Sequence, residues 1–342
     1  MESTQVLKTS KHERKQAILD WLHSTCGINA PSLEVMAGDA SLRRYFRLYT
    51  ASQSLVVMDA PPPVENCRPY IAIAKALRQQ GLHAPEVLHA DVMRGFLVIS
   101  DLGDATYLSA LTETNSEALY GEALSALATL QAMRCVEGYI TPAFTAHFMR
   151  QEWVWHKEWV WNKLLGLSLP LAEKTLDACN EVIIESAVSQ SQVFMHRDYH
   201  SANLMVLPEG GVGILDFQDA FIGPLTYDVV SLLRDCYTTI KKDEVEALAL
   251  SYLHRLHDSG EYTEIDEQTF LRWFDLMGVQ RHLKAMMTFA RKAVRDHEPR
   301  YLTYIPRTLQ YLTDVTHRYP ELAVLHDYLR VTVQPAFERI MK

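Results

Sequence analysis

Cysteine is scarce in this 342-residue chain, and the five present (Cys26, Cys67, Cys135, Cys179 and Cys236) form no CxxC pair. An odd, scattered set excludes a disulfide framework or a zinc ribbon and suits a reducing compartment. Long apolar runs are missing too: no stretch approaches the ~20 uninterrupted apolar residues of a membrane span. The start, MESTQVLKTSKHERKQ, is polar and lacks the apolar segment of a signal peptide, so the expected location is the cytoplasm. No long Lys/Arg cluster occurs, and 33 basic residues against 42 acidic ones leave a formal charge of -9. That balance argues against a dedicated nucleic-acid binder, though not against a small anionic ligand held by a local site. With 48% apolar and 22% charged residues, the chain is neither disordered nor collagen-like. Its length allows a full core and two domains, or one domain of two lobes.

What is present falls into two regimes. A helix is expected from about His12 to Cys26, where Ile18, Leu19 and Leu22 recur at helical spacing ahead of Gly27. β-like runs follow at Leu33–Met36, Leu42–Tyr49 and Ser54–Met58, the last ended by Pro61, Pro62 and Pro63. An amphipathic helix spans Tyr70 to Arg78, and two further strands lie at Glu86–Ala90 and Gly95–Ile99. Beyond Asp101–Asp104 long helical patterns dominate: Ser116–Met133, Phe144–Leu165, Leu171–Ser189, Leu225–Tyr237, Glu244–Leu256, Phe270–Lys292 and Leu322–Met341. Short β-like runs between Val193 and Leu215 interrupt them once. The expected class is therefore α+β, with a small β-rich lobe over residues 1–101 and a larger helical lobe over 102–342. Trp153, Trp155, Trp159 and Trp161 point to more than one side of their helix, which favours core packing over sugar stacking.

The chemistry concentrates in His196-Arg197-Asp198-Tyr199-His200-Ser201-Ala202-Asn203, followed by Gly213-Ile214-Leu215-Asp216-Phe217. Apolar runs flank a polar loop that carries an acid and an amide five positions apart, and a second acid ends the next strand. Transfer of a phosphoryl group from a nucleotide needs these side chains in one small volume. Magnesium takes hard oxygen ligands, which Asn203 and Asp216 can supply, and the acceptor hydroxyl needs a carboxylate to orient it, which Asp198 can be. A bare H-x-D pair carries no weight. The full H-x-D-x-x-x-x-N, strand, D-F pattern, with Pro224-Leu225-Thr226-Tyr227-Asp228 soon after, is far more specific.

HRDYHSANLMV, GILDFQDA and GPLTYDVVSLL together resemble the aminoglycoside phosphotransferase and choline kinase superfamily, over nearly the whole chain. The resemblance implies a two-lobed protein-kinase-like fold, ATP and Mg2+ as cofactors, Asp198 as catalytic base, and Asn203 and Asp216 as magnesium ligands. It also implies that His196 braces the loop and that Asp228 holds it from the start of the next helix. Gly38-Asp39-Ala40-Ser41 resembles the turn that covers the nucleotide phosphates through Gly38 and Ser41, or is an ordinary hairpin turn. Ser100, Asp101 and Leu102 resemble the hinge whose backbone binds adenine, or are the end of a buried strand. One departure stands out. The strand Ser54–Ala60 lacks the lysine that kinases use on the phosphates, so another cation must replace it for the site to work. Arg43, Arg44 and Arg47 are near in sequence, and Arg44 is the expected replacement.

GDASLRRYFRL, VVMDAPPPVENCRPY and VQRHLKAMMTFARKAVRDHEPRYL are similar to one branch of that family, the bacterial anomeric amino-sugar kinases of cell-wall recycling. That resemblance implies ATP-dependent phosphorylation of the C1 hydroxyl of N-acetylmuramate and N-acetylglucosamine. It implies an amino-sugar substrate as the only partner, with no nucleic acid, membrane or protein. The carboxylate of N-acetylmuramate invites a cation, and Arg234, Asp235 and Arg281 are the candidate sugar contacts. The rivals are an aminoglycoside- or choline-type phosphotransferase acting on another hydroxyl, and a non-catalytic kinase-like binding module.

Overall fold

A computed structural model describes residues 11–29, 32–36, 43–168 and 172–341. The chain divides into two compact units, Met1–Lys75 with Pro85–Leu102, and Ala76–Ala84 with Gly103–Lys342. The turn at Gly38 and Ser41 lies outside the described residues.

The first unit is an antiparallel sheet covered on one face by a helix. Strands β1 (Glu34–Val35), β2 (Arg44–Tyr49), β3 (Ser54–Asp59), β4 (Val87–Asp91) and β5 (Phe96–Ser100) lie in the order β1-β2-β3-β5-β4. β3 is central and reads as an unbroken apolar run, Leu55-Val56-Val57-Met58, because both its faces are buried. Helix α1 (Lys11–Ser24) lays Ile18, Trp21 and Leu22 against Phe46, Leu48, Leu55, Val57, Phe96 and Val98. Gly95 closes the β4–β5 turn with φ +74°, and a Cβ there would stand 1.9 Å from the Ala60 carbonyl oxygen, so only glycine fits. The division between the units falls inside α2 (Arg68–Gln79).

The second unit is helical: α3 (Tyr107–Ala110), α4 (Ser116–Gln131), α5 (Ala146–His156), α6 (Glu173–Ser189), α7 (Tyr227–Leu233), α8 (Lys242–Asp258), α9 (Glu267–Arg295), α10 (Ile305–Thr316), α11 (Ala323–Tyr328) and α12 (Gln334–Ile340). Two short hairpin-like pairs interrupt it. β6 (Gln192–Met195) pairs with β9 (Phe221–Pro224), and β7 (Leu204–Val206) with β8 (Val212–Ile214). α9 has 29 residues, about 43 Å at 1.5 Å per residue, and is the axis of the unit. The Asp266 side chain caps it by accepting from the Thr269 N–H at 2.7 Å. Leu276, Val279, Leu283 and Met286 of α9 share a core with Trp153 and Trp161, which are buried, while Trp155 and Trp159 pack against it half-buried.

Several elements differ from the sequence reading: α3 and β9 were not expected, and the expected helix Leu225–Tyr237 is the shorter α7. The expected helix Phe144–Leu165 is α5 followed by a wider π-helical segment, Lys157–Leu164. The expected helix Leu322–Met341 is α11, a π turn at Leu329–Val333, and α12; Pro335 has no N–H to return to the Val331 carbonyl, so the turn ahead of it widens. α10 was not expected at all. Its buried Ile305, Leu309 and Leu312 nonetheless keep the i, i+4, i+7 spacing of an amphipathic helix, with polar residues on the other faces. No helix among the described residues is long and apolar enough to cross a membrane.

His156 ties α5 to α9: its Nδ1–H donates to the Leu283 carbonyl at 2.8 Å, and its ring stacks on Trp153. Burial pulls its pKa down to about 4, although the carbonyl acceptor works the other way. Between pH 6.5 and about 4 the unfolded chain therefore binds a proton that the folded chain refuses, and stability falls as pH drops through that window. Wild type should lose more stability between pH 7 and pH 5 than His156→Gln does, on the order of 1–2 kcal/mol more. Denaturant midpoints of both proteins at the two pH values check this; parallel losses would contradict a histidine held neutral.

Candidate active site

Strand β6 delivers the chain to a loop, residues 196–203, and the β7–β8 hairpin brings it back. Leu204 pairs with Ile214, so Asn203 and Leu215 face each other at the hairpin mouth, and the Leu215 N–H donates to the Asn203 carbonyl at 2.9 Å. Asp216 is next, at φ +60°, a conformation that turns its side chain away from the strand it ends. Register thus sets Asn203 beside Asp216. The Asn203 amide nitrogen donates to the Asp198 carbonyl oxygen at 2.9 Å, which ties all three positions together.

The loop is held from beneath by carboxylates. Asp228, fully buried at the start of α7, accepts from the His196 N–H at 2.6 Å and the Arg197 N–H at 2.9 Å. Arg197 between them has φ +79°, a costly conformation for a residue with a Cβ. Burial pushes the Asp228 carboxyl up to about 7, against the lowering effect of the two N–H donors. His196 is buried too. Its Nε2–H donates to the Leu215 carbonyl at 2.9 Å, which leaves Nδ1 to accept from the Asp198 N–H at 3.3 Å, an assignment made from the partners. Burial takes its pKa down to about 4, so it stays neutral.

Asp198 itself is half-buried and meets Lys284 of α9, whose ammonium donates to its Oδ1 at 2.9 Å. Burial would raise its pKa, but Lys284, His200 and Arg197 together outweigh it and hold the carboxyl well below the usual range. Arg197 is sandwiched over the rings of Phe148 and Phe221 and reaches Glu152 at 3.4 Å. Gln280 donates to the other Glu152 oxygen at 2.6 Å.

Asp198, Asn203, Asp216, His196 and Asp228 are therefore brought together. The other expected residues lie as follows. Asp235 is buried beneath the loop: the Ser201 N–H (3.0 Å) and hydroxyl donate to one oxygen and the Tyr237 N–H (2.8 Å) to the other. Its three hydrogen bonds give it a loop-supporting role, where the sequence reading expected a sugar contact. Arg281 is buried with its Nε donating to the Ser231 hydroxyl at 2.5 Å. Arg234 pairs with Asp275 at 2.5 Å and lines a cavity of about 570 Å3 with Arg318 and Tyr311, to which Asp198, Asn203, Asp216 and Lys284 do not contribute. That cavity is separate from the loop, so Arg234 is not placed for a sugar held there.

In the first unit Arg44 also departs from expectation. It pairs in register with Asp59, on the sheet face that α1 covers, and both it and Arg14 bond the Asp59 carboxylate. A carboxylate buried this completely needs such cations, which leaves Arg44 committed to the fold. Arg43 pairs with Glu65 at 2.8 Å, and Arg47, on the opposite face, with Asp101 at 2.6 Å. Ser100 exchanges bonds with Glu86 through its N–H (2.9 Å) and hydroxyl (2.8 Å), and Leu102 ends the unit.

The donor set suits a hard divalent cation: an amide oxygen and a carboxylate at adjacent strand ends, the latter steadied by Gln218 at 2.6 Å. A sheet-rich unit, a helical unit, and an acid–amide–acid set on a braced loop define a phosphotransferase with the protein-kinase-like fold. A model of the phosphotransferase enzyme family matches residues 32–267, and the chain belongs to that family. It is 40% identical over 303 residues to the N-acetylmuramate/N-acetylglucosamine kinase of Pseudomonas putida, covering 88% of each chain. It is 38% identical over 324 residues to the protein of the same name from Neisseria meningitidis, covering 93% of this chain and 95% of that one. Among solved structures it is similar to an ethanolamine kinase of Plasmodium vivax, with a TM-score of 0.64 over 90% of this chain and 91% of that one at 12% identity, a likeness of fold.

Lys284, Glu152 and Gln280 were missed as members of the site. Lys284 stands at helical spacing from Arg281, a candidate sugar contact, and that was its only signal. Removing the Asp228 carboxylate would leave two buried N–H groups unpaired. Asp228→Ala should lower unfolding free energy by about 2–4 kcal/mol, read by chemical denaturation, and a loss below about 0.5 kcal/mol would contradict the loop-holding role.

Proposed function

We propose that this chain is an ATP-dependent kinase that phosphorylates the anomeric hydroxyl of N-acetylmuramate and N-acetylglucosamine, returning cell-wall sugars to use. The observation that carries this reading is the shared name of relatives at 38–42% identity over most of their length. The braced Asp198 loop supplies the chemistry that such a name requires.

Asp198 is the proposed base. Its depressed pKa keeps it ionised at neutral pH, so it accepts a hydrogen bond from the acceptor hydroxyl and so orients a lone pair of that hydroxyl's oxygen toward the γ-phosphate. So weak a base does not strip a resting alcohol; it takes the proton as the new O–P bond forms, in keeping with a loose transition state. An anomeric hydroxyl, acidified by the ring oxygen, suits it. Asn203 and Asp216 are the proposed magnesium ligands, and a metal held there would neutralise negative charge on the nucleotide phosphates. The backbone at Ser100, Asp101 and Leu102 and the turn at Gly38 and Ser41 are the proposed nucleotide contacts. Arg44 drops out of that set. Lys284 positions Asp198 and shares its charge.

Asp198→Asn should lower kcat by at least ~10²-fold while nucleotide still binds, checked by ADP release and by nucleotide titration. Near-normal turnover would remove the base. Across a panel of N-acetylmuramate, N-acetylglucosamine, choline and an aminoglycoside, ADP should form with the two amino sugars, and the product should be labile to mild acid as a glycosyl phosphate is. An acid-stable product, or turnover with the other acceptors alone, would replace the proposed substrate. No ADP with any acceptor would favour a binding module.

A further inference from the structure

Along α9, every residue from Phe274 to Ala290 is buried except Lys284 and Thr288. Arg291, also half-buried, extends the same stripe: 284, 288 and 291 follow the i, i+4, i+7 spacing of one helix face. The stripe begins at the Asp198 carboxylate, which Lys284 bonds at 2.9 Å, and Arg291 lies about 10 Å further along the axis. The helix is thus open to solvent on this stripe, which leads away from the proposed base.

The stripe is cationic, and its charges are not equally matched. Lys284 is paired with Asp198, Arg197 with Glu152, and Arg295 with Asp296 at 2.6 Å. Arg291 has no ion pair or hydrogen bond among the described residues, and its Nε is buried without a partner. It lies within electrostatic range of Arg295, Asp296 and Arg197: burial and the two arginines lower its pKa, and Asp296, already held by Arg295, opposes them. An arginine kept half-buried, with its Nε unpartnered and the nearest acid, Asp296, already paired with Arg295, is suited to receive an anion.

Resting on the function proposed above, we propose that Arg291 is the residue that selects acceptors with an acidic side arm, binding the lactyl carboxylate of N-acetylmuramate while the anomeric hydroxyl lies at Asp198. N-acetylglucosamine has the same ring without the acid, so it makes no use of Arg291. The lysine at the start of the stripe is already occupied by the base, which leaves the carboxylate to the arginine. A guanidinium suits it, since its fork can meet both carboxylate oxygens.

The test compares the two sugars in wild type, Arg291→Gln and Arg291→Lys. In Arg291→Gln, kcat/KM for N-acetylmuramate should fall about 10- to 100-fold, mainly through KM, the loss of a charged hydrogen-bonded pair. For N-acetylglucosamine it should stay within about threefold, which also reports that the variant is folded. Arg291→Lys should recover part of the N-acetylmuramate loss. Equal loss for both sugars, or an unchanged ratio, overturns the assignment to Arg291 while leaving the kinase reading intact. Should Arg291→Gln fail to fold, the ratio in Arg291→Lys decides: it must fall below that of wild type. Wild type that phosphorylates neither sugar overturns the kinase reading, and this one with it.

Discussion

The carboxylate of Asp228, buried under the loop and bonded to the amides of His196 and Arg197, is the interaction on which the site depends. Those two amides converge because Arg197 sits at φ +79°, and that conformation persists only where its surroundings enforce it. Release the amides and the backbone relaxes, Asp198 swings with it, and the Asn203 amide loses the Asp198 carbonyl it bonds. Asp235 does the same work one turn later, on Ser201. Two buried acids therefore fix a polar loop that makes no regular structure of its own, and each is tolerated because backbone N–H groups satisfy it.

Above that support the charges are arranged in pairs that cross long stretches of chain. Lys284 reaches Asp198 from 86 positions away, and Gln280 and Arg197 reach Glu152 from 128 and 45. Lys284 helps keep the half-buried Asp198 ionised, whereas burial raises the pKa of Glu152 against the pull of Arg197 and Gln280. For Asp198 this has a cost in basicity: the cation that keeps it charged also weakens its pull on a proton. In the proposed reaction that is an acceptable trade, because orientation of the hydroxyl matters before the proton moves.

Much of the fold is legible because it is periodic. The unbroken apolar run of β3 and the spaced apolar positions of α1 report burial directly. Helix α10, though not expected, obeys the same rule, since its buried Ile305, Leu309 and Leu312 stand at i, i+4 and i+7; the π turn at Leu329–Val333 does not, because a proline four positions after Val331 acts on hydrogen bonds and not on hydropathy. The loop residues were legible from spacing and resemblance, since an acid and an amide five apart between apolar runs are local facts. The rest was not local. Arg44 and Arg47 differ only in which sheet face they occupy, and the register that puts Arg44 opposite Asp59 is not written in alternation alone. Asp235 and Arg234 are adjacent polar residues on the sequence, yet one turns under the loop and the other toward Asp275. A buried polar residue serving the fold has the same letter as one serving a ligand.

The contrast between global and local charge completes the picture. At -9 the chain as a whole repels anions, yet its phosphate donor and one of its proposed acceptors are both anionic. Recognition must therefore come from cations placed where solvent is thin, because a surface charge is screened within about 10 Å at ordinary ionic strength. α9 meets that need structurally. It is buried around most of its circumference, so the cations on its open stripe are themselves half-buried. There an unpaired guanidinium is costly to the empty protein, and the same cost becomes selectivity when a carboxylate arrives.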